Sequence, residues 1–193
     1  MKNIFTKVKK ITTPLCREAA EELRCGDEIL LSGEIYTARD AAHMRLMELS
    51  ENGGELPLPI EGAIIYYVGP TPEKPGTVIG SAGPTTSSRM DSTTPSLIAM
   101  GLKGMIGKGK RSADVVEAMK EHGAVYLGAV GGAGALIARC IESSEVIAYE
   151  DLGAEAIRKL VVKEMPLTVI IDSLGNNLYE KGREDYLKNQ AEV

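Results

Sequence analysis

Two rhythms of hydrophobic and polar positions divide this chain. Branched aliphatics crowd residues 28–36, 63–68, 104–109, 124–130, 145–149 and 167–172, each block bounded by Gly, Pro or charge, and these blocks predict strands. Residues 76–80 add a shorter strand-like run. Leu15, Ala19, Ala20 and Leu23, and then Ala38, Ala42, Leu46 and Leu49, recur at helical spacing. The first helix reads as capped by Thr13 with Pro14 in its first turn and Gly26 as its stop. The second reads as capped by Thr37, with Asp40 three residues on, and as ending at Asn52-Gly53-Gly54. Thr94-Pro95 opens a short helix to Met100, and Ser112 caps another over 113–122 that Gly123 stops. Residues 69–76 read as a loop and Gly175-Asn176-Asn177 as a hairpin turn into Leu178-Tyr179. From Lys181 onward the charged tail predicts a frayed helix or disorder. Several strands follow one another without a helix between them, which predicts a mixed α/β architecture rather than a regularly doubly wound one.

Composition narrows the picture. The 193 residues suit one domain, 1–193, with 183–193 as a charged tail. With no Trp and one Phe, the core must be aliphatic. A net charge of -5 argues against a nucleic-acid partner, which calls for a basic stripe. Cys16, Cys25 and Cys140 show no CxxC spacing, so neither a disulfide framework nor a self-contained zinc site is expected, and each reads as a small buried or half-buried residue. No stretch approaches the ~18 apolar residues of a membrane span, and residues 1–5 lack the apolar core of a signal peptide. A cytoplasmic setting is expected.

Candidate chemistry begins at Gly83-Pro84-Thr85-Thr86-Ser87-Ser88-Arg89-Met90-Asp91. Hydroxyls and a guanidinium packed this densely make poor core and a good cradle for a small carboxylate, although a polar surface turn has the same composition. Arg39 and His43 stand four apart near the start of a predicted helix and so share one face. A salt-bridged arginine and a satisfied histidine are the plainer reading of that pair. Lys108 lies between two glycines at a strand end, placed to reach an anion or simply to be exposed with Lys110 and Arg111. The glycines at 128, 131, 132 and 134 do not have dinucleotide-binding spacing and read as tight packing. Hydrolase elbows, zinc-protease motifs and phosphate-binding loops are absent from the sequence.

Three motifs occur in order: 35–43 (Ile-Tyr-Thr-Ala-Arg-Asp-Ala-Ala-His), 83–91, and 104–109 (Gly-Met-Ile-Gly-Lys-Gly). Together they resemble the β subunit, or C-terminal domain, of class I iron–sulfur fumarases and L-tartrate dehydratases, over about residues 10–182. The resemblance implies a "swivelling" β/β/α domain with a mixed sheet. It implies a hydro-lyase, most simply reversible hydration of fumarate to L-malate, active only with a cluster-bearing α subunit, and an α2β2 assembly. The [4Fe-4S] cluster would be bound by three cysteines of that α subunit, with one iron free to ligate substrate, and no metal would be bound by this chain. Matched to the motifs, Arg39 and Arg89 resemble carboxylate clamps, Lys108 the active-site lysine and Thr85 the proposed catalytic threonine. Thr86 would hydrogen-bond substrate and His43 would orient the clamp. An L-tartrate dehydratase or mesaconase β subunit, and a non-catalytic dicarboxylate-binding module, remain as alternatives.

Overall fold

A computed structural model describes residues 8–129, 132 and 134–182. Among these residues seven strands form one mixed sheet: β1 (Lys9–Thr12), β2 (Glu28–Thr37), β3 (Ile64–Tyr66), β4 (Gly104–Gly107), β5 (Val125–Gly128), β6 (Ile141–Ala148) and β7 (Ile157–Ile171). They are ordered β1-β2-β3-β4-β5-β7-β6, and a further pairing of β2 with β7 closes five of them into a small barrel. β2, β3, β4 and β5 run parallel to one another, and β7 closes the ring antiparallel to both β5 and β2.

Alternation along each strand sorts side chains to two cores. Leu31, Ile35, Ile64, Tyr66, Ile106, Val125, Leu127, Leu160, Val162 and Val169 come from all five ring strands and fill the barrel interior. Ala20 of α1 (Arg17–Glu21), Leu23 just after that helix, and Ile137 of α5 (Gly134–Ala138) join that core. The opposite faces of the same strands, through Tyr36, Ile65, Tyr67, Met105 and Tyr126, pack beneath α2 (Asp40–Glu51), α3 (Thr94–Ala99) and α4 (Ala113–His122). Loops at the ends of these parallel strands, next to the helices, carry the candidate residues. No helix among the described residues is long and apolar enough to cross a membrane.

Several sequence expectations are corrected. Thr13 caps no helix: its N–H bonds Ser32 O at 3.1 Å, continuing the β1–β2 edge, and α1 starts only at Arg17. Cys16 is the cap instead, exposed rather than buried, its sulfur accepting from the Ala19 N–H at 3.4 Å. Thr37 ends β2, where its hydroxyl donates to Ala156 O and accepts from Arg158 N–H, which leaves none of it for α2. Residues 76–80 are not a strand. Thr71 binds Ser81 through backbone and hydroxyl, so 71–81 closes on itself with Val78 exposed. Residues 178–182 are helical after the bridge of Ile171 to Asn177, and the predicted tail, 183–193, lies outside the described residues.

β7 is far longer than the predicted 167–172. Its first half alternates inward Leu160 and Val162 with outward Lys159 and Lys163, then a bulge opposite Ser32 breaks the alternation. There Glu164 takes φ 47° and donates its N–H to Ser32 Oγ at 2.9 Å, and Pro166 follows. Gly33 faces the bulge at φ 113°, and a Cβ there would fall 2.3 Å from Thr13 Oγ1. Ile35, fully buried in the barrel, is the direct test of ring closure. Ile35→Ala should lower unfolding free energy by about 2–5 kcal/mol in urea titration, and a cost under about 1 kcal/mol would contradict a single packed interior.

Candidate active site

The start of α2 brings a cluster of charge together. Arg39 is the residue before the helix, extended at φ -125° and ψ -163°, with no side-chain cap of its own. A distant acid supplies the cap: Glu155 Oε2 accepts from the Ala41 N–H at 3.0 Å, while its Oε1 lies 3.2 Å from Arg39 Nη2. The loop carrying Glu155 is docked to the same helix, since both Arg45 amino groups reach the Asp151 carboxylate at 2.8 and 2.5 Å. Arg39 also lies against Gly69, where a Cβ would approach Nη1 to 2.7 Å, so glycine leaves the guanidinium its place.

Asp40 joins the two clamp candidates. Its Oδ2 lies 2.7 Å from Arg89 Nη2 and 3.5 Å from Arg39 Nη2, so two guanidiniums from segments 50 residues apart meet at one carboxylate. The Arg39 side chain is mostly covered, and that of Arg89 is 54% exposed. A pair of forks held around one carboxylate can accept another from outside.

Arg89 belongs to a 3₁₀ turn, Ser87–Met90, whose leading residues are laced to the end of β4. Lys108 N–H donates to Thr85 O at 3.2 Å, and Ser87 N–H to Lys108 O at 2.9 Å. That ladder sets Thr86 beside Lys108, both exposed. Thr85 is half-buried, and its N–H and hydroxyl both donate to Tyr67 O at 2.8 Å. Its hydroxyl proton is thereby aimed inward and its oxygen lone pairs are left available. Gly107 permits the close lacing, since a Cβ there would sit 2.0 Å from Ser87 Oγ.

His43 lies beneath this surface, 1% exposed, and its ring faces Tyr67 edge-on at 5.5 Å. Nδ1 meets Thr93 Oγ1 at 2.9 Å, Nε2 has no partner among the described residues, and neither Arg39 nor Arg89 shares a hydrogen bond with the ring. Burial foremost, then Arg111, pushes its pKa down to about 3 against the opposing pull of Asp40, so the ring is neutral. Sequence reasoning missed Asp40 and Glu155 as partners of the arginines, and Arg111 altogether. Arg111 is buried rather than exposed, its Nε donating to Asp91 Oδ1 at 2.7 Å.

The cysteines stand on separate elements. Cys25 sulfur contacts Ile170 O at 3.5 Å and Cys140 sulfur contacts Leu136 O at 3.9 Å, while Cys16 caps α1. Among the described residues no group of three His, Cys, Asp or Glu side chains could hold a metal ion.

Comparison with known proteins gives this geometry a setting. A family model described as the fumarase C-terminus matches residues 2–182. The chain belongs to that family. It is 42% identical over 153 residues to "Fumarate hydratase class I, aerobic" of Escherichia coli (strain K12), covering 78% of this chain and 28% of the relative. It is 36% identical over 167 residues to "Fumarate hydratase 2" of Leishmania major, covering 86% and 29%. It is 35% identical over 173 residues to "Putative L(+)-tartrate dehydratase subunit beta" of Methanocaldococcus jannaschii, covering 86% and 89%. The chain thus spans less than a third of these fumarate hydratases and most of the tartrate dehydratase subunit. The residues that approach one another here, from the starts of α2 and the 3₁₀ turn and the end of β4, all lie within the matched span.

His43 gives a pH signature. The unfolded chain takes up a proton at this ring near pH 6.5, and the folded chain does so only near pH 3, so the unfolded state binds more protons in between. Stability must then fall as pH drops through that window, by about 2 kcal/mol from pH 7 to pH 5 for this group. His43→Gln, which keeps a donor and cannot titrate, should lose that share of the pH dependence in urea titrations at the two pH values. Equal pH dependence in the two proteins would contradict a buried neutral imidazole.

Proposed function

We propose that this chain is the β part of a two-chain [4Fe-4S] hydro-lyase that interconverts fumarate and L-malate. The observation carrying this reading is the meeting of Arg39 and Arg89 at the Asp40 carboxylate, next to the backbone ladder that ties Thr85 and Thr86 to Lys108. A C4 diacid presents two carboxylates, and two separate guanidinium forks suit them. In this reading Asp40 holds the forks in place, Arg39 and Arg89 clamp the substrate, and Thr86 hydrogen-bonds it. His43 acts on the clamp only indirectly, through Thr93 and the packing of α2.

Thr85 carries the proton. Hydration of fumarate adds hydroxide equivalent at one carbon and a proton at its neighbour, and Thr85 Oγ1 gives that proton and recovers it in the reverse direction. An alcohol is a poor base, so its competence depends on nearby positive charge from Lys108 and the arginines lowering its pKa. The cysteines of this chain, spread over separate elements, do not fit a cluster, which belongs on the proposed α subunit. Exposure of Thr86, Arg89 and Lys108 supports a site covered by that partner, in an α2β2 assembly whose β part is a swivelling β/β/α domain spanning 1–193. A cytoplasmic location completes the reading.

A second reading has its own support. The relative covered over 89% of its length is named as a tartrate dehydratase subunit, so L-tartrate is the competing substrate. Assaying the complex with its cluster-bearing partner against L-malate, L-tartrate and mesaconate decides between them, and a higher kcat/KM for tartrate would overturn the fumarate assignment. In the same complex, Thr85→Val should lower kcat by about 10²–10⁴-fold with KM little changed. Near-wild-type turnover would remove Thr85 from the mechanism. Arg39→Ala should raise KM about 10–100-fold, the loss of one charge-assisted pair, and an unchanged KM would contradict the clamp.

A further inference from the structure

Arg111 has no place in the chemistry above, yet its guanidinium is fully enclosed. Its side chain is 0% exposed, with Nε donating to Asp91 Oδ1 at 2.7 Å, Nη1 to the Tyr67 hydroxyl at 3.2 Å and Nη2 to Thr94 Oγ1 at 2.8 Å. The guanidinium carbon sits 5.2 Å from the Tyr67 ring centre and 5.3 Å from that of Tyr126. Hydrogen-bond directions around it close consistently. Thr94 gives its proton to Met90 O at 2.7 Å, so its oxygen accepts from Arg111 and from the Tyr67 hydroxyl. Tyr126 gives its proton to Gly109 O at 3.0 Å, so Ser87 Oγ donates to Tyr126 across 2.8 Å.

The ends of this network fall on the candidate site. Tyr67 offers the backbone carbonyl that holds both donors of Thr85. Tyr126 holds the carbonyl of Gly109, the residue after Lys108, and the hydroxyl of Ser87, whose N–H is bonded to Lys108 O. Burial pushes the Tyr126 pKa up, which keeps its hydroxyl protonated as a donor. Apolar residues of similar volume commonly replace a buried ion pair without loss of stability. Stability alone therefore does not call for a guanidinium here, whereas holding two polar segments in register does.

We propose that Arg111 and Tyr126 are positioning residues that hold Lys108 and Thr85 in register for proton transfer; the proposal rests on the hydro-lyase reading above. The guanidinium fixes Tyr67 and Tyr126 relative to each other, one backing Thr85 and the other backing the Lys108 segment. Small displacements of reacting groups cost rate far more than affinity.

The test uses the complex with its cluster-bearing partner. Tyr126→Phe keeps the ring and loses only the hydroxyl, so it should fold with a Tm near wild type. Its kcat on L-malate should fall about ten-fold or more while KM moves less than about two-fold. Arg111→Lys keeps the charge and loses the fork, and should show the same split, more strongly. Wild-type kcat in Tyr126→Phe, or a loss that only tracks the folded fraction, would overturn the proposal and leave the hydro-lyase reading intact. An inactive wild-type complex would overturn that reading and the proposal with it.

Discussion

The buried charge of Arg111, paired with Asp91 and enclosed by two tyrosines, is the constraint on which the rest of the site depends. It ties three layers at once. Asp91 Oδ2 also accepts from the Ser112 N–H at 2.7 Å, so the same carboxylate joins the 3₁₀ turn to the cap of α4. Tyr67 and Tyr126 follow β3 and lie on β5, strands of the ring, and so transmit the barrel's geometry to the loops above it. A charge enclosed this completely tolerates few arrangements of its partners, which makes the loops definite where sequence alone would leave them loose.

Around that point the fold divides its work. The barrel supplies rigidity from aliphatic packing, and the helical layer supplies polar termini. Arg39, Asp40 and Glu155 meet at the start of α2 only because the loop after β6 reaches back across the sheet to that helix. The site is thus built on strand ends and helix starts, while its open face is left to whatever covers it.

Much of this was legible from the chain, for physical reasons that differ by element. Ser112 and Gly123 bound α4 as read, because the hydroxyl cap and the left-handed stop act within a few residues. Thr85, Thr86 and Arg89 stood out because their clustering is local, and Lys108 because two glycines flank it at a strand end. β1 escaped notice as a charged edge, and the first half of β7 because Glu164 and Pro166 interrupt its alternation. Thr13 and Thr37 misled because a threonine before a helix can equally finish a strand. Asp40's bridge and Glu155's cap could not be read at all, since each joins segments brought together only by barrel closure. Arg111 looked like one of three surface cations, and only its burial separates it from Lys108 and Lys110.

The proposed function rests on the meeting of Arg39 and Arg89 at Asp40 and on the backbone ladder that joins Thr85 to Lys108. The most direct measurement is fumarate hydration by the purified chain alone and again after anaerobic assembly with a cluster-bearing partner chain. Half a site predicts no turnover alone and oxygen-sensitive turnover in the assembled complex. Equal turnover by the isolated chain, or an assembled, cluster-loaded complex inactive on malate and tartrate alike, would contradict it.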